Sequence, residues 1–163
     1  MTGVQTCALP ICFGMEIHYH NRTKLAANLE EGAIYHDNIK SLFNNSEFLS
    51  INCPATKETT NLVNEQSINY LPDGAVVTNA ARGDIIDDHA MIKAMKSGKV
   101  FALGLDVYNG EPKINPEYLK LNNLFLLPHL GSATFRTRID MGNRAVDNLE
   151  NFFNNKRPKD QVN

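Results

Sequence analysis

From Phe13 onward, short apolar runs alternate with amphipathic stretches along the chain. This alternation is typical of a parallel sheet wrapped by helices. The pattern therefore predicts a doubly wound parallel α/β sheet of about six strands. The predicted strands are Met15–His20, Ala33–Tyr35, Phe48–Cys53, Ala75–Thr78, Phe101–Val107 and Leu124–Leu127.

Four stretches between and after these runs have helical character. Asp87–Ser97 begins with acidic residues and stops at Gly98, and both features are helix-end signals. Ala133–Phe153 is the longest stretch, and its apolar residues recur at the spacing of one helix face. Ser41–Asn44 and Asn64–Asn69 are shorter predicted helices.

Composition and charge indicate a globular domain and exclude several other classes of protein. The chain has 163 residues, 42% of them hydrophobic and 21% charged, as in an ordinary globular domain. A net charge of −2 gives no electrostatic reason for binding nucleic acid or an anionic membrane. No apolar run approaches the roughly 18 residues that span a bilayer. Cys7, Cys12 and Cys53 lack CxxC spacing, which excludes a disulfide scaffold and a zinc knuckle. We expect a cytoplasmic protein with reduced thiols and no metal site.

The first eleven residues differ in character from the rest. They have no basic start and only a short apolar stretch, broken by Pro10, so they do not form a secretory signal. Thr2 to Ile11 resemble the in-frame translation of a widely used sequencing-library adapter. We therefore expect residues 1–11 to be an artefact, the native sequence to begin near Cys12 or Phe13, and the true N-terminal part to be missing.

Candidate site residues follow the predicted strands, because doubly wound sheets bind ligands outside the carboxyl ends of their strands. An arginine, an acidic pair and a histidine occur there, and they could act as a carboxylate clamp, an orienting carboxylate and a proton donor. Taken singly, each has a structural alternative. Arg82 could belong to a turn, Glu111 to a common loop, His129 to a half-buried loop, and Asp106 could cap a turn. Their order on successive strands favours the chemical interpretation.

Five segments resemble one family. NAARGDIIDD, ALGLDVYNGEP and LLPHLGSAT are similar to the three signature stretches of the D-isomer-specific 2-hydroxyacid dehydrogenases, and FGMEIHYHNR and NCPATKETTNLVN resemble two further segments of their cofactor domain. The HYHNR form is most similar to glyoxylate/hydroxypyruvate reductases. The resemblance implies a Rossmann-type NAD(P)-binding domain over residues 12–153, incomplete at its N-terminus. Residues 154–163 would then be a tail that returns toward a missing substrate domain.

The resemblance also implies the reaction, which is reduction of a small 2-keto acid to the D-2-hydroxy acid by hydride transfer from NAD(P)H. Arg82 matches the arginine that holds the substrate carboxylate, a task that suits a planar guanidinium. His129 matches the acid that protonates the carbonyl oxygen. Glu111 matches the carboxylate that orients His129 and favours its protonated form.

Further positions match contacts to the cofactor, with Asp106 at the nicotinamide end. An arginine after the second strand of such a domain accommodates a 2′-phosphate, so Arg22 indicates NADP in preference to NAD. The alternative is that Arg22 is a solvated cation at a helix start. Cys53 lies beside the cofactor path, where a small apolar residue ending a strand is the alternative. The remaining matched positions are Asn21, Thr23, Pro54, Thr59, Ala80, Ala81, Gly131 and Ser132.

The sequence contains no GxGxxG, so we expect the phosphate cradle to be lost with the first strand. Two alternatives to the reductase therefore stay open: a non-catalytic nucleotide-sensing protein of the same fold, or an inactive fragment. The chain alone is expected to be poorly stable, because a central strand would be missing. We expect the complete protein to be a homodimer through its cofactor domain, with a small keto or hydroxy acid as its substrate.

Overall fold

The computed structural model describes residues 10–162, and its strands form two separate parallel sheets. The smaller sheet pairs β1 with β2, and the larger has the order β3-β4-β5-β6. All six predicted strands are confirmed, with boundaries that shift by a few residues. Cys7 and most of the predicted artefact lie outside the described residues. The strands are β1 His18–Tyr19, β2 Ile34–Tyr35, β3 Phe48–Ile51, β4 Ala75–Asn79, β5 Val100–Leu105 and β6 Leu124–Leu126.

The four predicted helices are also confirmed. The Asp87 carboxylate caps α4 by accepting bonds from the N–H groups of His89 and Ala90, and Gly98 ends the helix with φ +80°. One further helix, α1, was not predicted; it has four residues, none of them buried, and no side-chain cap. The helices are α1 Ala27–Glu30, α2 Ile39–Asn44, α3 Glu65–Ile68, α4 Asp88–Ser97 and α5 Phe135–Phe153.

The core lies between the larger sheet and the helices on one of its faces. Alternate residues of β3, β4 and β5 are buried there, and α4 contributes Met91 and Met95. The opposite face of the sheet carries Phe48, Phe101 and Phe125, which are 61–67% exposed. Within residues 10–126, the described part of the first compact unit, helices therefore cover one face of this sheet.

A cleft of about 610 Å³ lies between the start of β1 in the smaller sheet and the start of β3 in the larger sheet. One side of the cleft is lined by residues at and before the start of β1, including Gly14 and His18. The other side is lined by residues at and before the start of β3, from Asn44 to Phe48. In the described part of the chain no ladder connects β1 with β3.

Residues from Leu127 onward form a second compact unit, built around α5. None of the α5 residues is buried, so its apolar stripe, which includes Val146 and Leu149, is exposed. The tail runs back along the helix, where Asp160 accepts two bonds from Arg144 at 2.6 and 2.7 Å. The Arg144 guanidinium and the Asn148 amide hold the pKa of Asp160 well below its usual range. Among the described helices, none combines the length and apolar character needed to span a membrane.

A histidine pair joins the two strands of the smaller sheet. His36, only 8% exposed, places Nε2 2.8 Å from Nδ1 of His18 and Nδ1 2.7 Å from the Ser41 hydroxyl. His20 Nδ1 lies 2.8 Å from the His36 carbonyl oxygen. A hydrogen bond between two imidazoles requires one of the facing nitrogens to be unprotonated. Burial, together with His18, lowers the pKa of His36, and Asp37 opposes this shift in part.

We expect the smaller sheet to loosen as pH falls from 8 to 5. The pKa of His36 is lower in the folded than in the unfolded chain, where it is about 6.5. The unfolded chain therefore binds more protons, so stability present above about pH 6.5 is lost below it. Exchange of the Ile34 and His36 amides, which donate to the Ile17 and Tyr19 carbonyls, measures the effect after correction for intrinsic rates. His36→Asn should flatten the pH dependence, whereas His89→Asn, on the exposed start of α4, should not. Protection unchanged from pH 8 to 5 in the parent chain would contradict this assignment.

Candidate active site and nucleotide-binding edge

The turn after β4 is held by a buried asparagine. Asn79, 1% exposed, donates from Nδ2 to the Arg82 carbonyl at 2.8 Å and accepts at Oδ1 from the Ala81 N–H at 2.9 Å. Ala80, at the top of the turn, is exposed. The Arg82 guanidinium is also exposed, with Nη1 donating to the Ala81 carbonyl at 2.7 Å. A guanidinium has five N–H donors, so this contact leaves capacity for a carboxylate.

Gly83 brings the turn after β4 against the loop after β5. A Cβ atom built on Gly83 would lie 2.0 Å from the Tyr108 carbonyl carbon and 2.4 Å from the Asn109 nitrogen. Only a residue without a side chain allows the two backbones to approach this closely. The contact fixes Arg82 beside the loop that carries Glu111.

The end of β5 contributes two carboxylates to the same edge. The Asp106 N–H donates to the Asn79 carbonyl at 3.0 Å, which ties the ends of β4 and β5 together. The exposed Glu111 carboxylate accepts at Oε1 from the Tyr108 N–H at 3.0 Å. The structure therefore presents Arg82, Asp106 and Glu111 from neighbouring strand ends, as the parallel topology predicts. Their chemical roles stay predictions.

The loop after β3 uses its polar groups internally. The Thr59 hydroxyl donates to the Pro54 carbonyl at 2.7 Å and accepts from the Thr56 N–H, also at 2.7 Å. Cys53 is half-buried and packs against the core, and burial raises the pKa of its thiol. These facts support the apolar interpretation of Cys53, while Pro54 and Thr59 shape the loop at this edge.

The turn after β1 is exposed at Asn21, Arg22 and Thr23. Within residues 10–162, Arg22 makes no hydrogen bond or ion pair. Its charge contributes, after hydrogen bonds from the Thr56 hydroxyl and a backbone amide, to lowering the pKa of Glu58. Arg22 is therefore a cation presented to solvent from a strand end.

His129 belongs to the second unit and follows β6 in the chain. It is exposed and has φ +57°, an uncommon conformation for a residue other than glycine and one that occurs at functional sites. Gly131 and Ser132 follow in an exposed turn, closed by a bond from the Ala133 N–H to the Leu130 carbonyl. The placement of these residues beside Arg82 and Glu111 stays a prediction.

Comparison with known proteins decides the family. The family model described as "D-isomer specific 2-hydroxyacid dehydrogenase, NAD binding domain" matches residues 3–131. The chain belongs to this family. A glyoxylate reductase of Thermococcus litoralis is 40% identical over 152 residues, covering 93% of this chain and 46% of the relative.

Solved structures agree with this family. A D-isomer specific 2-hydroxyacid dehydrogenase from Polaromonas sp. JS6 66 superposes with a TM-score of 0.91 at 43% identity, covering 96% of this chain and 49% of that one. An NADPH-dependent glyoxylate/hydroxypyruvate reductase from Sinorhizobium meliloti, in complex with NADP and malonate, has a TM-score of 0.86 at 32% identity, covering 93% and 46%. The chain spans about half the length of the curated relatives it matches.

The matched family model is that of an NAD-binding domain, so the cofactor of this 2-hydroxyacid dehydrogenase domain is a nicotinamide dinucleotide. The described residues fit such a ligand at its two ends. Arg22 supplies an exposed cation after β1, while Asp106 and the Asn79-braced turn bound the edge after β4 and β5. The sequence analysis did not identify two structural features of this edge, the buried Asn79 and the close contact at Gly83. An asparagine that ends an apolar run and precedes Ala-Ala-Arg-Gly could have indicated the first of them.

Proposed function

We propose that the complete protein containing this chain is an NAD(P)H-dependent oxidoreductase that reduces a small 2-keto acid of the glyoxylate or hydroxypyruvate type to the D-2-hydroxy acid. The observation that carries the proposal is the presentation of Arg82 and Glu111 from adjacent strand ends, locked together at Gly83. The names of the Thermococcus litoralis and Sinorhizobium meliloti relatives support the same substrates.

Three residues of this chain, Arg82, Glu111 and His129, have different roles in the proposed reaction. When bound, the reduced nicotinamide supplies a hydride. Arg82 binds the substrate carboxylate through two N–H groups and polarises the keto oxygen. His129 donates a proton to that oxygen, and the Glu111 carboxylate orients the imidazole and stabilises its charged form.

Replacing Arg82 with lysine should raise KM for glyoxylate by about 10- to 100-fold, because an ammonium cannot reproduce a bidentate contact. KM for the reduced cofactor should stay near the parent value. Steady-state kinetics of the complete protein measure both constants. Arg136→Lys is the matched control, since Arg136 is exposed on α5 and forms only a weak contact with Asp140. Equal KM values for glyoxylate in all three proteins would contradict the clamp.

NADPH is the cofactor that the turn after β1 favours. Arg22 is exposed and unpaired within residues 10–162, at the strand end where dinucleotide-binding domains bind the adenosine ribose. We expect kcat/KM to be higher with NADPH than with NADH. Arg22→Gln should lower the NADPH value by about 10- to 100-fold, since a charge-assisted bond is worth about 1.5–3 kcal/mol, and leave the NADH value unchanged. A parent enzyme that prefers NADH would refute this assignment.

A non-catalytic nucleotide sensor is the alternative function. It would bind the dinucleotide but would have no task for Arg82, Glu111 and His129 together. Dinucleotide binding without turnover of glyoxylate or hydroxypyruvate by the complete protein would favour it over the reductase.

The proposed assembly is a homodimer through the cofactor domain, in the cytoplasm. Phe48, Phe101 and Phe125 form an exposed apolar surface on the uncovered face of the larger sheet, and such surfaces mark association sites. The free Cys12 and Cys53 support a reducing compartment. Light scattering of the complete protein measures the assembly, and a monomer at micromolar concentration would contradict it.

A further inference from the structure

Two tyrosine hydroxyls close the turn that carries Arg22. At the start of the turn, the Tyr35 hydroxyl donates to the Asn21 carbonyl at 3.3 Å. At its end, the Leu25 N–H donates to the Tyr19 hydroxyl at 3.1 Å. The two tyrosines lie directly opposite each other in the β1–β2 ladder, with ring centroids 5.3 Å apart. The strand pairing therefore fixes both ends of the turn from one place.

The Tyr35 ring and the Glu30 carboxylate hold the second cation of the turn. The Lys24 ammonium lies 5.7 Å from the centre of the Tyr35 ring and 3.6 Å from Glu30 Oε1. The Tyr19 hydroxyl donates to that same Glu30 oxygen at 2.6 Å. Burial, with the bond to Glu30, raises the pKa of Tyr19.

The two cations of the turn, Arg22 and Lys24, therefore differ in their contacts. Lys24 is engaged by a carboxylate and an aromatic ring, whereas Arg22 is exposed, makes no hydrogen bond or ion pair within residues 10–162, and interacts with Glu58 only through longer-range electrostatics. A cation on a braced turn binds an anion better than one on a mobile loop, because less conformational freedom is lost on binding.

We propose that Tyr19 and Tyr35 are positioning residues that determine specificity, holding the turn so that Arg22 binds the phosphate on the 2′ position of an adenosine. The proposal rests on the NADP preference proposed above. It differs from that preference because neither tyrosine contacts the phosphate; each acts through the backbone, one at Asn21 and the other at Leu25.

Binding of two nucleotides to the complete protein, the parent chain of the variants below, tests the proposal. The probes are 2′,5′-ADP and 5′-AMP, which differ only in the 2′-phosphate, and NMR titration measures both dissociation constants. We expect the parent chain to favour 2′,5′-ADP by at least about tenfold, and Arg22→Gln to abolish this preference. Tyr19→Phe and Tyr35→Phe should each reduce the preference by about 2- to 10-fold, with 5′-AMP binding unchanged, as expected for loss of the one hydrogen bond that each hydroxyl makes to the backbone of the turn.

Two further measurements separate positioning from general loss of structure. Exchange of the Leu25 amide should accelerate in Tyr19→Phe, where its acceptor is lost, and not in Tyr35→Phe. Tyr70→Phe is the matched control, because Tyr70 also carries a lysine over its ring, Lys40 at 5.3 Å, and one hydroxyl bond, from Gln66 at 3.1 Å. Its preference for 2′,5′-ADP should equal that of the parent chain.

The outcomes distinguish the two proposals. Equal binding of both probes by the parent chain would overturn the NADP preference and the positioning role together. A clear preference that disappears in Arg22→Gln but persists undiminished in both phenylalanine variants would overturn the positioning role alone. The positioning role is also overturned if Tyr70→Phe lowers the preference as much as Tyr35→Phe does.

Discussion

Replacing His129 with glutamine in the complete protein is expected to lower kcat for glyoxylate reduction by about 10²- to 10⁴-fold, the usual cost of losing a general acid. The glutamine side chain can still form a hydrogen bond to the keto oxygen but cannot release a proton to it. KM for the reduced cofactor should change little, because the imidazole acts on the substrate. This split between kcat and cofactor KM separates a catalytic role from a structural one.

The pH profile supplies the second readout for His129. A general acid gives the kcat/KM profile a pH-dependent limb, so this limb should be absent from the glutamine variant. His89→Gln is the control, since His89 is an exposed residue in the first turn of α4. If His129→Gln kept kcat within about threefold of the parent value, the proposed proton donor would be wrong.

The strands and the site edge could be predicted from the sequence because both depend on short-range patterns. In β3, exposed Phe48 and Ser50 alternate with buried Leu49 and Ile51, so a period-2 pattern identifies the strand. In a parallel sheet all strands end at one edge, so Arg82 and Asp106 fall together without any knowledge of packing. The chemistry assigned to that edge came from the family resemblance and not from the pattern.

The bracing of the site could not be predicted because it depends on contacts between distant segments. Asn79 ends an apolar run like any polar residue, and only its burial shows that its amide holds the Arg82 turn. Tyr35 has the appearance of a strand residue chosen for β-propensity, yet its hydroxyl bonds to a residue 14 positions earlier. α1 has no buried face, so it leaves no hydrophobic period to detect.

The sequence also does not predict what covers the apolar stripe of α5 or the outer face of the larger sheet. The spacing of Ile139, Val146 and Leu149 correctly indicates a helix, but periodicity does not specify which surface meets the stripe. In the described residues these side chains are 47–58% exposed. The same holds for the outer face of the larger sheet, where Phe101 and Phe125 remain uncovered.

Replacing Gly83 with alanine is expected to destabilise the complete protein by about 3 kcal/mol, at the upper end for overpacking, and to lower activity at the same time. The added Cβ would lie 2.0 Å from the Tyr108 carbonyl carbon, a distance that requires a backbone shift because no flexible side chain can move aside. Separation of the two loops would also displace Arg82 from Glu111. Because the chain covers 46% of a relative's length, the complete protein is about twice as long as this chain, and the loss corresponds to a fall in Tm of roughly 4 °C.

Gly142→Ala is the matched control for the Gly83 variant. Gly142 lies inside α5, a Cβ there meets no atom within 4 Å, and alanine favours a helix interior over glycine by roughly 0.5–1 kcal/mol. The same chemical change should therefore lower Tm at one position and raise it slightly at the other. Because Gly83 is not in a positive-φ conformation, the loss tests the close approach of the two loops and not backbone strain. A Gly83→Ala protein with the parent Tm and parent KM for glyoxylate would show that the loops can separate without cost, and that Arg82 is not held by this contact.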